Sequence, residues 1–354
     1  MSASIRVFAL LGDEGLQQRL QQDWRTNGIT LCPPQREGTA SLSEELARLR
    51  PQVVVADAEL EGVRELVQTA TGRFRIPTLC IVRPQLHGLA ALRPLEWGAV
   101  DLLEHPETDT ALFVRQLEEG IHTAGRAQVV EQLESIYPLS GAFPDASVFD
   151  LRGALRRLPA TDKLIVVAAG PGGPMGMRRI LTTLRRQTWS PIVYVQRLPP
   201  RLRGTLAQWL EKHTGATVRR AVHGQSLEIG HVYLAGDDES LRVTSAGSGG
   251  AALQVESERG DGKPLDALLR SVARSFGAGA VGVLLSGTGG DGCEGLLALR
   301  AAGALTIIQD RDSSLLYELP GRARDAGGAI ECLPINEIAE RLSMLMQPLQ
   351  VTEA

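Results

Sequence analysis

The sequence predicts an α/β protein made of two parallel-sheet units in tandem. Three observations carry this. Apolar strand-like runs alternate with amphipathic helical stretches over the first 122 residues; a stretch with Pro138, Gly141 and Pro144 interrupts the rhythm; and a second alternating series begins at Lys163. Continuous apolar runs are what strands need when helices cover both faces of a sheet. At 354 residues the chain has room for two domains of roughly 100–200 residues each. We expect domains over 1–123 and 162–350, with a linker over 124–161.

In the first unit, IRVFALL (5–11) is a buried strand, and Leu16, Leu20 and Trp24 mark one face of the helix that follows. ITLC is a short second strand, and Leu42, Leu46 and Leu49 line a second helix. PQVVVAD is a strand ending in Asp57, followed by a helix over 60–69, the strand PTLCIV, a helix ending at Gly98, the strand AVDLL and a helix over 108–123. In the second unit, KLIVVAAG is a strand, residues 175–186 a helix, PIVYVQ a strand, and Leu202, Leu206, Trp209 and Leu210 the stripe of another helix. Residues 218–257 contain short alternating runs, HVYLAG and SLRVTS, that read as antiparallel hairpins. A helix over 265–276, the strand AVGVLLSG, a helix over 291–302, the strand ALTIIQD and closing helices complete the series.

Composition narrows the function classes. Hydrophobic residues make up 43% of the chain and the net charge is −4, which gives no case for general nucleic-acid binding. The four cysteines, Cys32, Cys80, Cys293 and Cys332, are scattered without metal or redox spacing. The N-terminus meets charge too early for a signal peptide, and no apolar run is long enough to span a bilayer, so we expect a cytoplasmic protein. Arginines crowd the region from Arg178 to Arg220. They read either as a solvated helix face or as a docking surface for an acidic partner.

The order and spacing of the first unit resemble a response-regulator receiver, a five-stranded flavodoxin-like domain. The resemblance implies that Asp57 is the candidate phosphoacceptor. A Mg²⁺ ion would be held by carboxylates that neutralise the incoming phosphoryl group. The expected acidic pair is reduced to Gly12-Asp13, the hydroxyl position is Val82, and the lysine position is His105, ahead of Pro106. Asp13 and Asp57 would make a weak Mg²⁺ site at best, and we expect no required cofactor.

The second unit carries AAGPGG, YVQRLPP, IGHVYLAGDDESLRV, LLSGTGGDGCEGLLALRAAGA and QDRDSSLLYELP in order. Together these resemble the catalytic domain of the chemotaxis protein-glutamate methylesterases (CheB-type). The resemblance implies a doubly wound, mainly parallel α/β domain with an antiparallel hairpin insert. It also implies a Ser-His-Asp triad acting on methylated glutamates of chemoreceptors. At the matching positions the nucleophile is replaced by Gly170 and the base by Arg197, while Asp291 is kept. The oxyanion positions are Pro171 and Thr288, and proline has no N–H to donate.

Glycine cannot form an acyl-enzyme and arginine stays protonated, so a catalytically inactive signalling or scaffold protein is expected. Its partners would be chemoreceptor-like proteins and a chemotaxis-type histidine kinase or its adaptors, without nucleic acid or membrane insertion. The alternative is an active methylesterase with relocated residues, for which Ser286, Thr288, Cys293 and His231 are the available groups. Arg197 is expected to pair with Asp291 across the old cleft. A nucleotide loop at GPGGPMG is disfavoured, because Pro171 and Pro174 remove amides that would cradle phosphate.

Overall fold

The computed structural model describes residues 4–24, 27–32, 41–106, 110–129, 163–184, 190–236, 240–246, 250–256 and 263–346. The chain divides into two compact units, Met1–Ser140 and Gly141–Ala354. The expected linker lies almost wholly outside the described residues.

The first unit alternates strand and helix: β1 (Ile5–Leu10), α1 (Glu14–Asp23), β2 (Ile29–Cys32), α2 (Leu42–Leu49), β3 (Val53–Asp57), α3 (Val63–Gln68), β4 (Thr78–Val82), α4 (Arg93–Trp97), β5 (Asp101–Glu104) and α5 (Thr110–Ala124). The strands form one parallel sheet in the order β2-β1-β3-β4-β5, the flavodoxin-like order. Val7, Phe8, Val53, Val54, Val55, Cys80 and Ile81 fill its core. Every residue of β3 and β4 is buried, which is why both read as unbroken apolar runs.

The second unit contains β6 (Leu164–Ala169), α6 (Gly173–Thr183), β7 (Ile192–Gln196), α7 (Pro200–Thr214), β8 (Thr217–Arg220), β9 (His231–Gly236), β10 (Ser240–Ala246), β11 (Gly250–Glu256), α8 (Pro264–Phe276), β12 (Ala280–Leu284), α9 (Cys293–Ala301), β13 (Leu305–Gln309), α10 (Glu318–Asp325), β14 (Glu331–Leu333) and α11 (Ile335–Met346). Seven strands make a parallel sheet in the order β14-β13-β12-β6-β7-β9-β8. Among the described residues, the antiparallel hairpin is β10–β11. It is tied to α8, where the Val243 N–H donates to Ser271 Oγ at 3.0 Å and Ser275 Oγ donates to Val243 O at 3.1 Å.

HVYLAG, expected in a hairpin, instead forms β9 and pairs in parallel with β7 and β8. Val232, Tyr233, Leu234 and Ala235 are all buried, so the run belongs between two strands of the main sheet. TVRR, with one buried residue of four, is its edge partner β8. Part of the arginine-rich region is structural. The Arg178 guanidinium lies 5.9 Å from the Trp209 ring, and Arg179 donates to Asn336 Oδ1 at 2.6 Å.

Candidate functional site

Strands β6 and β12 are neighbours, yet the chain leaves β6 toward β7 on one side and reaches β12 only later on the other. The crevice at their carboxyl ends is therefore a topological switch point, where open α/β sheets place ligands. The ladder between the two strands runs on past their ends, with the Leu285 N–H on Ala168 O at 2.9 Å. The Gly170 N–H donates to Ser286 O at 2.8 Å, and a Cβ built on Gly170 would stand 3.0 Å from Gly287 Cα and 3.6 Å from Thr288 N. Two residues without side chains, Gly170 and Gly287, face each other here.

The turn after β6 is shaped by glycine. Gly172, at φ +85°, is the N-cap of α6. At Gly173 a Cβ would lie 2.2 Å from Gln196 Oε1 and 2.4 Å from Ala169 Cβ, so only glycine lets the helix start this close to the sheet. Gln196 fills the space behind the turn. Its Nε2 donates to Gly170 O and Arg197 O, both at 2.9 Å, and its Oε1 accepts from the buried Tyr194 hydroxyl at 2.5 Å. Burial holds that phenol far above its ordinary pKa, so it remains a donor. The Gly173 N–H is spent on Gly170 O at 2.9 Å, and the neighbouring prolines offer no amide, so the loop makes no phosphate cradle.

Arg197 follows β7, with its N–H on Ala169 O at 3.1 Å. Its side chain is exposed, and Nη2 donates to Thr288 Oγ1 at 3.0 Å. The expected ion pair with Asp291 is not formed. Both Asp291 oxygens are turned to the N-terminus of α8, where Oδ2 accepts from Leu265 N at 3.0 Å and Oδ1 from Asp266 N at 2.9 Å. Four N–H groups at a helix start lack internal partners, and a carboxylate there also meets the positive end of the helix dipole.

Asp266 returns the interaction. Its Oδ1 accepts from Gly292 N at 3.0 Å and Gly295 N at 2.6 Å, at the start of α9. Each of two aspartates thus caps the other's helix. Burial, the largest influence, raises the Asp291 carboxyl above its ordinary pKa; the two amide donors lower it, and the neighbouring Asp266 charge raises it again. Asp291 is a helix brace in this fold.

In the first unit, Asp57 lies at the carboxyl end of β3 and is 3% exposed. Arg83, just beyond β4, engages it with both Nε and Nη2 at 2.8 Å from Oδ2. A Cβ on Gly12 would already sit 3.3 Å from Asp57 Oδ2 and 3.6 Å from Arg83 Nη2, so the pair fills the space beside the missing acidic residue. Asp13 caps α1, its Oδ1 accepting from Leu16 N at 3.0 Å. That amide bond, the largest influence on it, lowers the Asp13 pKa. Val82 is buried in β4. His105 turns to its own chain, Nδ1 donating to Pro106 O at 2.8 Å, with its ring 4.5 Å from Phe113. Arg83 went unremarked in the sequence because nothing in IVRP shows that its side chain turns toward a residue 26 positions earlier.

Comparison with known proteins agrees with this architecture. The family described as CheB methylesterase matches residues 165–342. The chain belongs to the CheB methylesterase family. It is 31% identical over 352 residues to a protein-glutamate methylesterase/protein-glutamine glutaminase of Geobacter metallireducens, covering 97% of this chain and 96% of that protein. A Xanthomonas oryzae pv. oryzae protein of the same description is 31% identical over 314 residues, covering 85% of this chain and 86% of its own. The crystal structure of the Thermotoga maritima CheB methylesterase catalytic domain is 27% identical, with a TM-score of 0.49, and covers 52% of this chain and 98% of that domain.

Among the described residues, no hydrogen bond joins Ser286, Thr288, Cys293 and His231 to one another. Ser286 is 2% exposed; its Oγ donates to Pro171 O at 2.7 Å and accepts from Leu316 N at 2.9 Å. The Cys293 thiol is buried, and burial pushes its pKa up to about 11, so it stays a thiol. His231 sits at the amino end of β9, roughly 16 Å along the sheet from the carboxyl ends at about 3.3 Å per residue. Its Nδ1 bonds Ile229 O at 3.0 Å. Thr288 is held by Arg197, which is a donor only.

Proposed function

We propose that this chain is a non-hydrolytic member of the family that works by binding, as a cytoplasmic signalling or scaffold protein. Its partners are chemoreceptor-like proteins, or the histidine kinase and adaptors that act with them. What supports the reading is the pair of residues at the two positions matched by the resemblance: Gly170 offers no side chain, and Arg197, a permanent cation, donates to Thr288 Oγ1. Glycine forms no acyl-enzyme and arginine accepts no proton, while Pro171 lacks the amide an oxyanion would use. The relatives are described as acting on protein glutamate esters and glutamine amides. A protein with their fold and without their chemistry keeps the surface and loses the turnover. Among the described residues, no helix is long and apolar enough to cross a membrane.

The first unit, in this reading, takes neither a phosphoryl group nor Mg²⁺. The donor set does not fit a divalent cation, because Asp57 is paired with Arg83 and Asp13 is committed to α1. The second reading, a methylesterase with relocated residues, requires a nucleophile and a base within hydrogen-bond reach. The positions of Ser286, Cys293 and His231 speak against it.

The test is methanol release from methylated receptor by the purified full-length chain. The expected rate is that of the uncatalysed reaction. Turnover by the folded protein overturns the proposal. The Gly170→Ser/Arg197→His double variant is expected to stay inactive as well, because Pro171 still offers no amide to an oxyanion.

A further inference from the structure

We infer that Arg197 makes the rim of the crevice a recognition site for a carboxylate, so that the chain reads glutamate in preference to its methyl ester or its amide. This rests on the proposed non-hydrolytic binding and names what that surface selects. Hydrolysis of a glutamate ester or of a glutamine amide replaces a neutral side chain with an anion. A protein that binds the anion reports that the reaction has already happened.

The geometry supports this in three ways. The guanidinium is anchored but unspent. Of five N–H donors, one is given to Thr288 Oγ1, and among the described residues no carboxylate pairs with Arg197. The acids nearby are committed elsewhere: Asp291 to the amides of Leu265 and Asp266, and Glu318 to Arg322 at 3.2 Å and the Gly289 N–H at 3.4 Å. Finally, Arg197 directly follows β7 at the carboxyl end of the sheet with its side chain exposed, so the guanidinium is open to a ligand side chain.

A planar guanidinium matches the two oxygens of a carboxylate with parallel charge-assisted bonds. An ester gives it only neutral acceptors. An amide turns an NH₂ toward donors that cannot accept. The site therefore discriminates in the opposite sense to one that must welcome a neutral substrate. Because Arg197 is exposed, the discrimination is modest and weakens with salt, at about fivefold under low-salt conditions.

The experiment uses the full chain and three labelled helical peptides that differ at one position, carrying glutamate, glutamine or glutamate γ-methyl ester between neutral neighbours. Affinity is read by fluorescence anisotropy at low and high salt, and methanol is assayed in parallel. We expect the glutamate peptide to bind about fivefold more tightly than the other two, with the gap shrinking as salt rises. Arg197→Gln should erase the gap with an unchanged melting temperature, and Arg197→Lys should retain part of it. Equal affinity for the three peptides, or a preference that survives Arg197→Gln, overturns this inference and leaves the binding role standing. Methanol release from the ester peptide overturns the non-hydrolytic reading instead. Failure of all three peptides to bind counts against both.

Discussion

Replacing Asp291 by alanine should destabilise the C-terminal unit, and the size of the loss follows from the cross-capping of α8 and α9. The side chain satisfies two amides, Leu265 N and Asp266 N, at 3.0 and 2.9 Å. Losing a helix cap costs about 0.5–2 kcal/mol, and amides left without partners when half-buried add about 1 kcal/mol or more. The site is only half covered, so water replaces part of the loss, and we expect about 2–3 kcal/mol in total. For a unit of this size that is a fall in Tm of roughly 4–12 °C. Differential scanning calorimetry of the full chain provides the measurement, with Asp291→Asn as a milder variant that keeps one acceptor. The pH dependence has a definite sign. The carboxyl's folded pKa is raised, so ionising it opposes folding: that cost is absent below the ordinary value of 3.8 and complete once pH has risen through the folded value, while the two capping bonds persist. The gap between wild type and Asp291→Ala should therefore widen as pH falls from neutral toward 3.8. An alanine variant that melts within about 1 °C of wild type would refute the brace and return Asp291 to the role of an unused triad member.

Other expectations concern the remaining built features. Gly173→Ala places a methyl group 2.2 Å from Gln196 Oε1, and a drop in urea midpoint equivalent to about 3 kcal/mol is expected; an unchanged midpoint would show that the turn can move aside. Arg83→Ala leaves Asp57 buried without its partner, which should cost about 1–3 kcal/mol once discounted for the partial exposure of Arg83. Incubation of wild type with acetyl phosphate and Mg²⁺ should add no phosphoryl mass to Asp57, and a stoichiometric adduct on intact-protein mass spectrometry would contradict the closed pocket. Asp13 behaves oppositely to Asp291: its folded pKa is lowered, so the capping of α1 is complete above 3.8 and is lost as pH falls through the folded value. Amide exchange at Leu16 should accelerate on acidification beyond the general pH trend, and no such excess would refute the cap.

Much of the architecture is legible in the sequence because buried parallel strands announce themselves as unbroken apolar runs, as VVVAD and LIVVAA do. HVYLAG misleads because glycine and polar residues flank it, and its neighbour TVRR shows only one buried residue. A short alternating run beside an edge strand has the same pattern as a hairpin. The altered positions Gly170 and Arg197 are visible because their surrounding motifs fix the register. The contacts made around the candidate sites are not visible. Asp57 meets Arg83 across 26 positions, Asp291 reaches Leu265 across 26, and Asp266 reaches Gly295 across 29. Such pairs are set by which way loops turn at the strand ends, and no local spacing records that.

The Asp57–Arg83 pair has a consequence for signalling in time. A reversible modification informs a cell because it adds charge at one moment and removes it at another. A guanidinium encoded in the chain supplies its charge from synthesis to degradation. If Asp57 keeps this partner throughout, as the proposed reading requires, its charge is balanced by a residue of the chain itself and not by a group that is added and removed. A cell would then set the output of such a protein through the number of copies, on the slower rhythm of expression and turnover.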